Sequence, residues 1–305
     1  MRPDYIQANT NGRLHDAREP SLSPLDRGFL YGDAVYEVWR TYDGVLFAWL
    51  EHWQRLQRSA AALHLVVPWC ADEILSEIKR TVDAFREQVR DRSELYVRLQ
   101  VSRGGGPIGL DVALADEPNF TILVQTNQTV PAVKMKSGYT LSLESALRRN
   151  SVATLNPAWK TGNYLNNLLC LREAKARGAD EVLMLNLAGE ITEASVSNIG
   201  FIQQGRMVTP SLKSGILGGI TRELVVHKIA SAAGIPIEEL ALRPEDLTAM
   251  DECFIMSTTR DIAPVGMIDK HPYRVDAETI TMRLKTAFAS YVADYVATHA
   301  ELKIT

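Results

Sequence analysis

Apolar and polar residues alternate strictly from Leu95 to Val101, and this period of two predicts a β-strand with one buried face. Another strand is predicted for Phe120 to Gln125. The stretch from Tyr31 to Phe47 is rich in aromatic and β-branched residues and is interrupted by Asp43-Gly44, which predicts a hairpin. The N-terminal part of the chain is therefore expected to contain antiparallel strands.

Apolar residues spaced by three or four positions predict helices. Asp72 can cap a helix whose apolar stripe continues from Ile74 to Val89. Another helix is predicted from Asn163 to Arg177, ended by Gly178. Its packing residues are predicted to be Leu165, Leu168 and Leu169.

Strand patterns return after this helix. A strand is predicted at Glu181 to Asn186, followed by a turn at Ala188-Gly189, and a further hairpin pivots on Gln204-Gly205. A helix follows Gly218-Gly219, and a late strand covers Asp251 to Ser257 before a C-terminal helix. Hairpins outnumber the strand-helix-strand alternation of a doubly wound sheet, so we predict an α+β (mixed α/β) fold.

The domain boundary is placed where the periodic pattern stops. Residues 126–138 have no sustained period, which is typical of an interdomain linker. We therefore predict a small N-terminal α/β domain at 1–125, a linker at 126–138 and a larger C-terminal domain at 139–305.

Composition excludes several classes of function. The net charge of -4 leaves no excess of basic residues for nucleic-acid binding. Three cysteines without a C-x-x-C pair and six scattered histidines give no metal-site spacing. The N-terminus MRPDYIQANTNG has no apolar signal-peptide core, and no apolar run is long enough to span a bilayer. We expect a cytoplasmic protein that binds neither metal, nucleic acid nor membrane.

Lys160 is the candidate nucleophile. It lies between Trp159 and Tyr164, just before a predicted helix, and partial desolvation by such neighbours suits a lysine that attacks a carbonyl group. An isolated lysine in a loop is more often simply solvated. The local sequence decides between the two interpretations.

The run Lys160-Thr-Gly-Asn-Tyr164-Leu-Asn-Asn resembles the motif around the pyridoxal 5'-phosphate (PLP) lysine of class IV aminotransferases. This fold-type IV group, with a D-amino acid aminotransferase-like fold, includes branched-chain aminotransferases, D-amino acid transaminases, (R)-selective amine transaminases and aminodeoxychorismate lyases. The resemblance continues in order through Asp26 to Glu37, His52 to Leu56, Gly189 to Glu193 and Gly219 to Arg222.

The resemblance implies PLP as the cofactor, with Lys160 as the catalytic Schiff-base lysine. The phosphate dianion calls for a guanidinium and backbone N–H groups, and Arg55, Thr221 and Thr258 are the expected clamp. A protonated ring nitrogen calls for a carboxylate, and Glu193 shares a strand face with Ile191 and Ser195. The cofactor-binding residues implied are Arg55, Tyr164, Glu193, Ser197, Asn198, Leu217, Gly219, Ile220, Thr221 and Thr258.

Two predicted strands are expected to line the substrate side. Arg40 and Arg98 could receive a carboxylate, as similar arginines do in branched-chain aminotransferases. Val38 stands where those enzymes typically carry glycine and resembles D-amino acid transaminases instead, while Arg103 to Asp111 lacks their Arg-x-His element. Arg260 is a second carboxylate or phosphate contact, or a surface residue. The substrate residues implied are Tyr31, Tyr36, Val38, Arg40, Tyr96, Arg98, Thr259 and Arg260.

The resulting hypothesis is transamination between an amino acid, preferably a branched-chain L-amino acid, and a 2-oxo acid such as 2-oxoglutarate. The alternatives are a D-amino acid or (R)-amine transaminase and, further, a PLP lyase of the aminodeoxychorismate type. Gly104-x-Gly106-x-x-Gly109 spells a dinucleotide fingerprint, but Pro107 lies within it and no helix is expected to follow. The family also implies a homodimer with shared active sites.

Overall fold

The computed structural model describes residues 5–90 and 92–305. The described chain divides into two compact units. The first contains the residues up to Gln128 together with Trp159–Asn163 and Tyr295–Thr305, and the second contains Thr129–Ala158 and Tyr164–Asp294. Two segments placed by the sequence in the C-terminal domain, 159–163 and 295–305, thus group with the N-terminal residues.

The first unit is built around one antiparallel sheet whose strands differ in length. Its elements are β1 (Gln7–Thr10), β2 (Arg13–Asp16), α1 (Arg27–Tyr31), β3 (Ala34–Tyr42), β4 (Val45–Leu46), α2 (Trp49–Ala62), α3 (Ala71–Gln88), β5 (Leu95–Ser102) and β6 (Asn119–Thr126). In the described residues the strand order is β2-β1-β6-β5-β3-β4. The antiparallel pairing of β3 with β5 and of β5 with β6 centres the sheet on the strand with strict alternation.

The predicted elements of this unit are confirmed, with one correction. The four apolar side chains of β5 are completely buried, and Asp43 and Gly44 turn β3 into β4 with positive φ angles. The helix predicted after Asp72 begins at Ala71, and its cap is Cys70. The reason is that the Glu73 carboxylate accepts a hydrogen bond from the Cys70 N–H at 2.7 Å, which fixes the first turn one position earlier.

The second unit contains a larger mixed sheet. Its elements are α4 (Ala132–Ser137), β7 (Tyr139–Arg148), α5 (Leu165–Ala176), β8 (Glu181–Leu185), β9 (Ile191–Ala194), β10 (Asn198–Gln203), β11 (Arg206–Pro210), α6 (Ile220–Leu224), a π-helical turn (Val225–Ile229), α7 (Ala230–Ala232), β12 (Ile237–Leu240), β13 (Glu252–Ser257), β14 (Asp261–Ile268), β15 (His271–Pro272) and α8 (Ile280–Thr298). The order is β12-β11-β10-β13-β14-β7-β8-β9, with β15 on β14, among the described residues. Parallel pairs occur at β11–β12, β14–β7 and β7–β8, so the mixed α/β prediction is confirmed.

Helix α5 differs from its prediction in the face that it packs. It ends before Gly178, whose φ of 83° is left-handed, as expected. Leu165 and Leu168, however, are 69% and 60% exposed, while Cys170 and Ala174 are buried. Small side chains on the buried face let the helix backbone approach the sheet closely, and the packing prediction was wrong for Leu165 and Leu168, whereas Leu169 is half-buried.

Two further observations bear on function. The glycine-rich stretch Gly104 to Gly109 is followed by a short 3₁₀ helix at Val112–Leu114 and not by the α-helix that a dinucleotide fold requires. Among the helices of residues 5–90 and 92–305, none is both long and apolar enough to cross a membrane.

Candidate active site

The backbone of Lys160 is fixed by neighbours in the first unit. The Tyr36 N–H donates to the Lys160 carbonyl at 3.0 Å, and the Lys160 N–H donates to the Ser59 hydroxyl at 3.1 Å. The Gly162 N–H donates to the Ala34 carbonyl at 2.9 Å. The segment therefore pairs with β3 and rests on α2, so the lysine starts from a defined position.

The Lys160 amine lies beside Tyr36. The Nζ atom is 3.3 Å from the Tyr36 hydroxyl and 4.4 Å from the centroid of its ring. The Arg98 guanidinium lies 3.8 Å from the same centroid and donates to the Gln100 side-chain carbonyl at 2.9 Å. Two cationic groups thus surround one buried tyrosine, which makes this face attractive to a carboxylate.

The strands β3 and β5 bring the predicted substrate residues together on one face. Their register pairs Val38 with Arg98 and Arg40 with Tyr96. Arg40 is buried, and its guanidinium lies 4.2 Å from the centroid of the Tyr42 ring. Tyr31 is the last residue of α1, and the Arg27 guanidinium lies 5.0 Å from its ring centroid.

On the opposite face of β3, Glu37 forms a buried ionic cluster with α2. The Arg55 Nε and Nη2 atoms donate to its two carboxylate oxygens at 2.6 and 2.8 Å, and the His52 Nδ1 atom lies 2.7 Å from Oε2. Burial opposes ionisation, but Arg55 and His52 outweigh it, so the pKa of Glu37 lies well below its ordinary value. Burial also lowers the pKa of His52, which favours neutral imidazole.

Sequence reasoning selected Arg55 and missed Glu37 and His52 as its partners. A signal was present, because Glu37 lies between Val35 and Trp39 on a strand face that is otherwise apolar. A charge at such a position indicates a buried partner.

In the second unit, Glu193 lies on β9 and its carboxylate is held from several directions. The Asn198 Nδ2 donates to Oε2 at 2.6 Å, the Leu217 N–H donates to Oε1 at 3.2 Å, and Arg149 forms an ion pair with Oε1. Arg149 in turn donates through Nε to the Gly215 carbonyl at 3.0 Å. The carboxylate is thereby buried, charge-balanced and fixed in orientation.

Asn198 connects Glu193 to the start of α6. Its Nδ2 also donates to the Leu217 carbonyl at 2.9 Å, and a Cβ atom at Gly219 would lie 2.0 Å from its Oδ1. Glycine is therefore required before α6, whose first residues Ile220 and Thr221 are buried. Sequence analysis missed Arg149, since nothing in its local sequence distinguishes it from the preceding Arg148.

Other predicted residues lie on two further segments of this unit. Tyr164 is half-buried and directly precedes α5. Thr258 and Thr259 occupy the turn between β13 and β14. Arg260 follows them and donates through Nη1 to Glu181 at 3.1 Å and to the Ser197 hydroxyl at 3.2 Å.

Comparison with known proteins identifies the family. The family model of class IV amino-transferases matches residues 34–268. A protein of Methanocaldococcus jannaschii assigned as a branched-chain-amino-acid aminotransferase is 35% identical over 280 residues, which cover 91% of this chain and 93% of that protein. A D-alanine aminotransferase of Listeria innocua is 33% identical over 259 residues, covering 85% of this chain and 86% of the relative.

Solved structures agree. The crystal structure of the branched-chain aminotransferase from Thermoproteus uzoniensis with norvaline has a TM-score of 0.85 at 30% identity, covering 96% of this chain and 98% of that chain. This chain therefore belongs to the class IV aminotransferases. The predicted fold type IV and the prediction of a PLP-dependent aminotransferase are confirmed.

The side chains present suit PLP. Lys160 has a primary amine, which can react with an aldehyde carbon, and Glu193 has a fixed carboxylate, which suits a protonated pyridine nitrogen. The requirement for glycine at position 219, set by Asn198, also leaves the backbone before α6 without a side chain that would keep a phosphate away.

Proposed function

We propose that this aminotransferase moves the amino group of a branched-chain L-amino acid to a 2-oxo acid such as 2-oxoglutarate. The observation that carries the proposal is the position of the Lys160 amine, 3.3 Å from the Tyr36 hydroxyl, with Arg98 on the ring of the same tyrosine. A substrate carboxylate drawn to Arg98 would place its amino-bearing carbon near the lysine.

We propose Lys160 as the residue that carries PLP. Glu193 would hold a proton at the ring nitrogen, with Ser197, Asn198 and Leu217 around it, and Tyr164 would bind the ring hydroxyl. Arg55, Thr221 and Thr258, with the backbone of Gly219 and Ile220, would hold the phosphate. When bound, PLP serves as the electron sink for the bond that is broken at the substrate carbon.

Lys160 would also act as the base. As a free amine, it would take the proton from the substrate Cα, and PLP would supply the electron sink for that step. The backbone hydrogen bonds of Lys160 to Tyr36 and Ser59 support this role, since they fix the main chain and leave the motion to the side chain.

Substrate recognition is proposed for the face shared by β3 and β5. Arg98 and Arg40 would bind carboxylates of the amino acid and the oxo acid. Val38, between them on β3, would contact the apolar side chain. The full proposed set on the substrate side is Tyr31, Tyr36, Val38, Arg40, Tyr96, Arg98 and Thr259.

A D-amino acid substrate is the second candidate. Val38 favours it, because branched-chain aminotransferases typically carry glycine at the matching position, and a D-alanine aminotransferase is among the relatives. The loop from Arg103 to Asp111 favours the L-amino acid, because it lacks the Arg-x-His element.

Half-reactions test the choice. We would follow the visible absorbance of the purified protein while adding L-leucine, L-glutamate, D-alanine or an (R)-amine, each without an acceptor. We expect L-leucine and L-glutamate to discharge the band. Discharge by D-alanine or the amine alone would move the protein to the second candidate, and a protein that binds no PLP would refute the proposal.

We propose a homodimer with shared active sites as well. Phe29, Ile108 and Leu110 are 75%, 76% and 79% exposed, which is unusual for large apolar residues in one region. Arg27 joins their segments, donating to the Gly109 carbonyl at 2.7 Å and the Leu110 carbonyl at 3.2 Å. Leu110→Glu is expected to give monomers by light scattering. The cytoplasmic location expected from the sequence stays a prediction.

A further inference from the structure

The turn between β13 and β14 ends in an arginine with an unusual environment. Ser257 pairs with Asp261, so Thr258, Thr259 and Arg260 form a three-residue loop, closed by a positive φ of 56° at Asp261. The Arg260 N–H donates to the Ser257 hydroxyl at 3.3 Å. The loop is therefore tight, and a contact that fixes the Arg260 side chain also restricts the positions of Thr258 and Thr259.

The Arg260 guanidinium contacts a buried carboxylate. Its Nη1 atom donates to Glu181 Oε2 at 3.1 Å, and the Glu181 side chain is 2% exposed, whereas that of Arg260 is 26% exposed. The same Nη1 donates to the Ser197 hydroxyl at 3.2 Å. The guanidinium also lies 5.4 Å from the centroid of the Tyr139 ring.

The other oxygen of Glu181 holds the loop between β9 and β10. Oε1 accepts hydrogen bonds from the Ser195 hydroxyl at 2.6 Å and from the Val182 N–H at 2.9 Å. Ser195 is further held by Asn167, whose Nδ2 donates to its carbonyl at 2.7 Å. Glu181 thus joins two loops, one that follows Glu193 and one that carries Thr258 and Thr259.

We infer that Arg260 is a positioning residue: through its ion pair with Glu181 it fixes the Thr258–Thr259 turn against the Ser195–Ser197 loop, and it does not bind the substrate carboxylate. If Arg260 turned to a substrate, Glu181 would be left as a buried charge without its cation, and that penalty exceeds the gain from one new charged hydrogen bond. The inference rests on the proposed function, because it assigns the two loops to the cofactor and substrate.

Three variants test the inference: Arg260→Met, Glu181→Gln and the double variant. In the holoenzyme, each single variant should speed the release of PLP into a trapping solution by about three- to tenfold, and the double variant should be no faster than either. KM should rise by the same factor for a monocarboxylic and a dicarboxylic oxo acid. Arg260→Lys, which keeps the charge, should recover most of the retention, and Glu181→Gln reports on the same ion pair if Arg260→Met folds poorly.

Arg206→Met is the matched control. It removes an arginine from an exposed ion pair of similar length, 3.0 Å to Glu238, in the same unit, and should leave PLP release and both KM values unchanged. A selective loss of the dicarboxylic acid in Arg260→Met, absent in Glu181→Gln, would show that Arg260 binds substrate and overturn the inference. A change confined to melting temperature, or additive effects in the double variant, would overturn it too.

Failure of the proposed function can be distinguished from failure of the role assigned to Arg260. The wild-type half-reactions identify the substrate, whereas the inference depends only on ratios between variant and wild type. A wild-type enzyme that used D-alanine would refute the proposed substrate. The role of Arg260 would still be supported if the two single variants released PLP equally fast and the double variant released it no faster.

Discussion

Lys160 and Glu193 carry opposite charges, and their surroundings differ in kind. The Lys160 amine is half-buried and has a 3.3 Å contact to the Tyr36 hydroxyl. The Glu193 carboxylate is buried, pairs with Arg149 and accepts from Asn198 at 2.6 Å. Lys160 is thus fixed through its backbone, whereas Glu193 is fixed at its carboxylate.

The difference matches what each group has to do. A base must leave its resting contact to reach a proton, so a long hydrogen bond to a neutral hydroxyl costs little to break. A carboxylate that holds a charge in place must already point the right way, since any reorientation would cost energy during the reaction. Substitutions at Lys160 and at Glu193 should therefore affect the reaction in different ways.

Replacing Lys160 should have the largest effect. Lys160→Ala is expected to lower turnover by at least about 10⁴-fold, because it removes both the covalent attachment and the base. The measurements are turnover and the mass of the protein after borohydride reduction, which should show no added cofactor. Lys213→Ala, at an exposed lysine, is the control. Normal turnover in Lys160→Ala would contradict the central assignment.

Next in size is the second buried anion, Glu37. Glu37→Gln breaks the cluster with Arg55 and should cost about 3–5 kcal/mol of unfolding free energy at pH 7. The folded pKa of Glu37 is lowered from an ordinary value of 4.5, so its stabilisation is full above that pH and is lost as the pH falls below it. Urea unfolding at several pH values should show the gap between wild type and variant closing in acid. A gap independent of pH would contradict the assigned ionisation.

Removing the charge of Glu193 should lower the catalytic rate more than it affects the attachment of PLP to Lys160. Glu193→Gln is expected to lower kcat by about 10²-fold, since it deletes the charge but keeps the shape of the side chain. Borohydride reduction should still label Lys160. The control is Glu245→Gln, an exposed residue of the same unit. Wild-type turnover in Glu193→Gln would show that the ring nitrogen needs no carboxylate here.

The sequence predicted Glu193 and did not predict the residue that pairs with it. Glu193 was selected through the resemblance to class IV aminotransferases, with its place on the face begun by Ile191 as a secondary signal, and the strict alternation of β5 predicted its buried face correctly. Arg149, the partner of Glu193, was not found. Its pairing depends on which ends of β7 and β9 meet in the folded sheet, and local sequence carries no information on that register.

Helix α5 shows the second limit. Periodicity identified the helix and its glycine end but chose Leu165 and Leu168 for packing, although both are exposed. The helix has apolar residues on more than one face, so the burial of Cys170 and Ala174 depends on how close the backbone can come to the sheet. That is a property of packing and not of the period.

The smallest expected effect concerns the contact that holds the Lys160 tip. Tyr36→Phe removes the hydroxyl that orients the Lys160 amine and keeps the ring under Arg98, so the first-order rate of the amino-donor half-reaction should fall by about two- to tenfold, the range of one modest hydrogen bond. The apparent dissociation constant of the amino acid should stay the same, and α-deuteration of the substrate should slow the variant more than the wild type. In the control, Tyr291→Phe removes an exposed hydroxyl 3.1 Å from Lys228 Nζ and should change neither quantity. If Tyr36→Phe instead weakened substrate binding at an unchanged rate, the hydroxyl would serve the substrate, and its contact with Lys160 would have no part in the proton transfer.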